Sequence, residues 1–92
     1  MLSHEEIRAR LTAAQAQDRL AAIEHERWSH WQRYLHDQCE RRDDGSLIIP
    51  ADLVDRWEQQ MNTPYASLSP DEKRSDLEQV ENYLPAVLDL LR

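Results

Sequence analysis

Leu20-Ala21-Ala22-Ile23-Glu24-His25-Glu26-Arg27-Trp28-Ser29-His30-Trp31-Gln32-Arg33-Tyr34-Leu35 is the stretch whose reading decides the fold. At 100° per residue, Leu20, Ile23, Trp31, Tyr34 and Leu35 fall within roughly 60° of one direction, the apolar stripe of an amphipathic helix. No Pro or Gly occurs from His4 to Arg41. Upstream, Ser3 with Glu6 three residues on has the spacing of a capping box. The reading is therefore one long helical region, about 4–41.

Length sets a problem for that region. A continuous helix over it would be about 55–60 Å long, whereas a compact domain of this size is only about 32 Å across. Ile7, Leu11 and Ala14 lie about 120–180° from the direction of Leu20, so the apolar stripe rotates around Gln15–Asp18. Two arrangements accommodate this. The helix breaks near 15–18, or it runs on and its first part packs against another chain. In the second case Ile7, Leu11 and Ala14 would form a homodimer contact.

The rest of the chain also reads as helix. Arg42-Asp43-Asp44-Gly45-Ser46 is a loop, with Gly45 placed to stop the first helix in a left-handed conformation. Leu47-Ile48-Ile49 is too short to count as an independent strand and anchors the loop. A helix over about 50–61 starts with Pro50 in its first turn and carries Leu53, Val54, Trp57 and Met61 on one face. Asn62-Thr63-Pro64-Tyr65 connects it to a helix over 70–91, announced by Ser69-Pro70-Asp71-Glu72. Pro85 inside that helix is expected to kink or split it near Tyr83. The fold class is all-α: a small bundle of three to four helices in a single domain, 1–92, with 1–18 as an N-terminal extension.

Composition narrows the function classes. The 92 residues include 18 acidic and 11 basic side chains, for a formal charge of −7. Residues 46–92 hold nine acidic groups against four basic ones. Such a surface repels phosphate backbones and anionic lipid, so neither duplex nucleic acid nor a membrane is an expected partner. No stretch approaches the roughly 18–20 apolar residues of a span. The lone Cys39 gives no internal disulfide, and the cytoplasm is the default location. With three Trp, three Tyr and no Phe, every aromatic side chain carries an N–H or O–H that needs a partner when buried.

Candidate chemistry is sparse. His25-Glu26-Arg27-Trp28-Ser29-His30 looks like a zinc-hydrolase helix, but its histidines are five apart, about 140° around the helix, with Ser29 where the second ligand belongs. His36 and Cys39 lack a second ligand pair. There is no Gly-rich phosphate loop and no recognisable nucleophile–base spacing. No metal or cofactor is expected, and the chain reads as non-enzymatic. The informative anomaly is Glu24 and Arg27, which point into the apolar stripe, where an unpaired charge is costly. Either they form an i,i+3 pair that orients packing, or they line a cleft floored by Trp28 and Trp31, with His25 at its rim, that holds a small polar ligand. Tyr65, presented by Pro64, together with Lys73 and Asp76 on the last helix, is a further candidate. Its plainer reading is a docked connector and a solvated Lys73–Asp76 pair.

His25-Glu26-x-Trp28, followed later by Pro64-Tyr65-x-x-Leu68-x-x-x-Glu72-Lys73-x-x-Asp76, resembles the ryanodine-receptor-type repeat (the RyR domain). The small stand-alone form of bacteria and phages is the most similar. The resemblance covers about 20–91 and depends mainly on the second motif. Leu77 stands where the family often has Arg, so no anion contact is implied there. What the resemblance implies is a compact helical, non-enzymatic module. His25, Glu26, Trp28, Tyr65, Lys73 and Asp76 would then converge between the first and last helices, with a nucleotide-like molecule as the proposed class of ligand. The leading expectation is a binding module with a polar–aromatic cleft for a small polar ligand or a protein. The alternative is a structural or oligomerising protein that binds a partner through its N-terminal helix or its acidic second half.

Overall fold

In a computed structural model describing residues 1–92, the chain forms four α-helices and one small hairpin. They run in the order α1 (His4–Thr12), α2 (Ala14–Gln38), β1 (Glu40–Arg41), β2 (Leu47–Ile48), α3 (Ala51–Met61) and α4 (Pro70–Leu90). A single 3-10 turn, Tyr65–Ser67, precedes α4. The all-α expectation holds. No helix is long and apolar enough to cross a membrane.

The first helical region does break, two residues before the expected segment. Ala13 adopts an extended conformation (φ −60°, ψ 147°) and serves as the C-cap of α1 and the N-cap of α2. Side chains stabilise the corner from both sides: the Thr12 hydroxyl donates to the Arg8 carbonyl at 2.7 Å, and the Gln17 amide donates to the Leu11 carbonyl at 2.7 Å. The Gln17 bond occupies a carbonyl at the end of α1 that a helix terminus otherwise leaves to water. The break folds α1 back against both α2 and α4. Ile7, Arg10 and Leu11 are the only half-buried residues of α1, and Ala14 is exposed at the start of α2. The apolar side of α1 is thus engaged within its own chain. Of the three residues of the expected homodimer contact, Ile7 and Leu11 place part of their apolar surface inside the chain, while Ala14 stays exposed.

At its other end α2 stops at Gln38, before the expected Arg41, because Glu40 and Arg41 pair antiparallel with Ile48 and Leu47. Gly45, at φ +89°, is the one residue with positive φ, and it turns this hairpin instead of ending a helix. Asp44 fixes the loop by accepting from the Ser46 backbone at 2.9 Å and the Ser46 hydroxyl at 2.6 Å. These bonds hold the Asp44 carboxyl below its usual pKa. Further on, Ser69 and Glu72 form a full capping box: the Ser69 Oγ accepts from the Glu72 N–H, and the Glu72 carboxylate accepts from the Ser69 N–H. Ser3 shows only the first half, accepting from the Glu6 N–H at 3.1 Å. Pro85 does not split α4, which runs unbroken to Leu90. Pro85 and Glu81, whose carbonyl loses its usual donor, are both exposed, so water can replace the missing bond.

The helices α2 and α4 lie antiparallel, with Arg19 bonded to Asp89 at 3.0 Å and, five residues on, Glu24 bonded to Tyr83. This is the main long-range contact, and the only two fully buried residues, Ala16 and Ala86, belong to these helices (1% and 2% exposed). Elsewhere the molecule is open. Its extents are 56 × 34 × 17 Å and its radius of gyration is 18.0 Å, against about 12 Å for a compact chain of this length. The small helical bundle expected from the sequence is present, in an open form.

Enlarging the tight point should therefore register. Ala86→Leu is expected to lower stability by about 1–3 kcal/mol through overpacking between α4 and its neighbours. Urea titration followed by circular dichroism measures this, and an unchanged midpoint would mean that Ala86 does not sit in a load-carrying contact.

Candidate functional site

The side of α2 that faces α4 carries the residues that looked anomalous in the sequence. The Arg27 guanidinium donates from Nε to Glu24 Oε2 at 3.1 Å and from Nη2 to Glu24 Oε1, a two-pronged pair between residues three apart. The Tyr83 hydroxyl, arriving from α4, donates to the same Glu24 Oε2. One carboxylate thus accepts from its own helix and from its neighbour. The hydrogen bonds from Arg27, then that from Tyr83, pull the Glu24 pKa from 4.5 down to about 2. Arg27 is pushed up by Glu24 in turn. Tyr83 is also pushed up, first because its proton is held by Glu24 and second because of burial.

This triad closes one end of a groove of about 790 Å³ between α2, α3 and α4. Along α2 the groove continues past Trp31 to Leu35. Across it stand Trp57 and Met61 of α3, and Tyr65 and Leu68 of the connector mark the far end. Val80 and Asp76 line the α4 side. Trp31 is fixed by two edge-on aromatic contacts, to His30 at 5.4 Å and to Tyr34 at 5.9 Å between ring centroids. Such edge-to-face pairs add roughly 0.5–1.5 kcal/mol beyond area burial. Lys73 sits 5.8 Å from the Tyr65 ring centroid, within cation–π range. It does not pair with Asp76, and Arg74 pairs with Asp71 instead at 3.3 Å.

The sequence-derived candidates therefore divide. Glu24, Arg27, Trp31, Tyr65 and Asp76 line the one groove, and Lys73 reaches it through Tyr65. Trp28 does not floor it. It is 58% exposed and lines a separate, mostly polar depression with Ser29, Arg33 and His36. His25 stacks on Trp28, with ring centroids 6.3 Å apart, and so goes with it. Glu26 lines a third depression together with His30 and Glu78. The six residues that the RyR resemblance would bring together are thus spread over separate surfaces. The physical reason is angular: Trp28 is about 60° further round the helix than Trp31, which carries its ring past the edge of the α4 contact.

Tyr83, Trp57 and Met61 are groove residues that did not stand out as site candidates. Trp57 and Met61 have the spacing of core residues, and they would be core if α3 packed down on α2 and α4. Tyr83 had no local signal at all, because its partnership with Glu24 depends on the antiparallel register of two helices that brings together residues 59 positions apart.

Chemically, the groove presents π faces and an already satisfied ion pair. Glu24 and Arg27 offer no free charge unless the pair opens. A pH experiment tests the triad. Because the Glu24 pKa is depressed in the fold, its stabilisation is complete above about pH 5 and is lost as pH falls toward 2. Because the Tyr83 pKa is raised, its contribution is complete below about pH 10 and is lost at higher pH. Both ends of the Glu24–Arg27 pair are close to half exposed, so salt will weaken the effect. Glu24→Gln should flatten the decline in melting temperature between pH 5 and 2, and identical declines in the two proteins would remove Glu24 as the linked group. No family model, curated protein or solved structure matches the chain.

Proposed function

We propose that this protein is a non-enzymatic helical interaction module whose open α2–α3–α4 face receives an apolar surface of a protein partner. One observation carries the reading. A chain with three Trp, three Tyr and nineteen Leu, Ile or Val side chains leaves all of its large apolar side chains at least partly exposed, and keeps a wide aromatic groove open. Apolar surface of that extent marks interaction sites in soluble proteins. The resemblance to the ryanodine-receptor-type repeat points to the same class, an interaction unit without catalysis, and rests on Pro64 through Asp76.

A small polar ligand is the second reading, favoured by Glu24, Arg27 and Asp76 along the groove. It is the weaker one because the Glu24–Arg27–Tyr83 bonds already satisfy the charges a ligand would use. Small-molecule sites are also generally more enclosed than this open groove between α2, α3 and α4.

The two readings separate in a paired experiment. Tagged wild-type chain and the variants Trp31→Ala and Met61→Glu, each checked for native helicity, are compared for the proteins they retain, with an untagged copy of the chain included. The interaction reading expects at least one protein, or the untagged copy, to be held by wild type and lost from both variants. A nucleotide and metabolite thermal-shift screen runs alongside. A shift abolished by Trp31→Ala, with no protein retained differentially, would replace the interaction reading by the ligand one.

A further inference from the structure

Helix α4 carries more apolar surface than its own chain covers. One side of it, with Tyr83, Ala86 and Leu90, turns toward α2 and α1 and is half-buried or buried. Leu77, Val80, Leu84 and Leu88 form a second stripe, between 47% and 65% exposed. At 100° per residue Leu77, Leu84 and Leu88 lie within about 40° of one another, with Val80 beside them. Leu77, Leu84 and Leu91 are seven apart, and so are Val80 and Val87. This is the a/d spacing of a helix that packs along its length on another helix. Over four turns it presents nothing but branched aliphatic side chains, with Glu78 and Glu81 only at its border.

We propose that this stripe is the seam of a homodimer, in which α4 of a second copy packs antiparallel against it, a proposal that rests on the interaction reading above and names its partner. Area is the first argument. The chain exposes 7598 Å², whereas a compact monomer of its mass exposes only about 5,600 Å². The surplus is about 2,000 Å² per chain, so two copies that hide it from each other bury about 4,000 Å² in all, within the range of obligate homodimers. Val80 belongs both to the stripe and to the groove, so the seam and the groove mouth form one continuous surface for that burial.

Self-complementarity is the second argument. A two-fold interface uses the same patch on both copies, and an uncharged leucine stripe fits itself without any charge requirement, which matters for a chain of net charge −7. Charge then selects the antiparallel direction. Parallel packing would align the two helix dipoles, whereas antiparallel packing opposes them. Antiparallel packing centred near residue 82 brings Asp71 and Glu72, in the first turn of α4, to the level of Arg92 of the other copy. Lys73 and Arg74 reach the level of its Asp89.

The test is the mass of the purified chain from about 1 to 200 µM by sedimentation equilibrium. A dimer of twice 10.9 kDa is expected. Leu84→Glu, at an exposed position, is expected to keep its helicity and to weaken dimerisation roughly a hundredfold or more, since the charge is introduced twice by symmetry. A wild-type monomer throughout that range, or a Leu84→Glu chain that dimerises as well as wild type, overturns the proposal. Direction is read separately, in a Cys39→Ser background that leaves α4 unaltered. Leu77→Cys mixed with Leu88→Cys should give a crosslinked heterodimer under mild oxidation, while neither variant crosslinks to itself. Self-crosslinking of each variant alone would overturn the antiparallel seam. A monomeric wild type that still retains another protein through Trp31 and Met61 would sink the homodimer and leave the interaction role standing.

Discussion

Everything in this molecule hangs on the antiparallel docking of α2 on α4. It is the one extensive contact between parts of the chain distant in sequence, and its means are modest. Two alanines, Ala16 and Ala86, are the only fully buried residues in it. Arg19 and Asp89 pin one level, and Glu24 and Tyr83 pin the next. No large side chain is fully buried anywhere. Hydrophobic burial, ordinarily the dominant favourable contribution to folding, is therefore only partly realised within a single copy, and polar pins carry an unusual share of the specificity.

The groove follows from that arrangement. Once α2 and α4 are set side by side, the hairpin of residues 40–48 and the connector of 62–69 fix where α3 lies. The hairpin turns the chain after α2, and the Pro64–Tyr65 corner turns it again, so that α4 runs back along α2. Between these two turns α3 stands as a separate wall, and the groove beside it is lined by Trp31, Trp57 and Tyr65. A Trp or Tyr at such a site is well suited to a surface that is alternately wet and covered, because its N–H or O–H remains solvated while its ring waits for an apolar partner. A Phe in the same place would have less reason to remain open. The absence of Phe from the chain and the openness of its structure are thus physically consistent with each other.

Glu24 and Arg27 illustrate how a structural and a functional reading merge. Their pairing is local, set by three-residue spacing on one helix, and would form on an isolated α2. What the tertiary fold adds is Tyr83, which turns a surface pair into a link between helices and places it at the end of the aromatic groove. The pair orients the packing, and it also bounds the site. His25 and Trp28, only a step away in sequence, belong to another surface because a helix turns 100° with each residue.

Helical class, the capped start of α4 at Ser69, the loop around Gly45 and the break in the first helical region were legible in the residues themselves, because each depends on neighbours within a turn or two. The rotation of the apolar stripe between Leu11 and Leu20 announced a corner. Its placement at Ala13 depended on side-chain bonds from Thr12 and Gln17 that periodicity does not encode. Glu24 and Arg27 were identifiable as candidates because charges conflict with the apolar stripe that holds Trp31, and Tyr65 and Asp76 because Pro64 presents the connector and the second motif of the resemblance includes both. Sequence alone did not determine that Trp28 and His25 would face elsewhere, that α1 would fold back to engage Ile7 and Leu11, or that Tyr83 would complete the triad. Those outcomes depend on the register and azimuth of α2 against α4, set by contacts between residues some sixty positions apart. Local propensity determined which segments are helices, and only the packing of those helices decided which of their faces remain open.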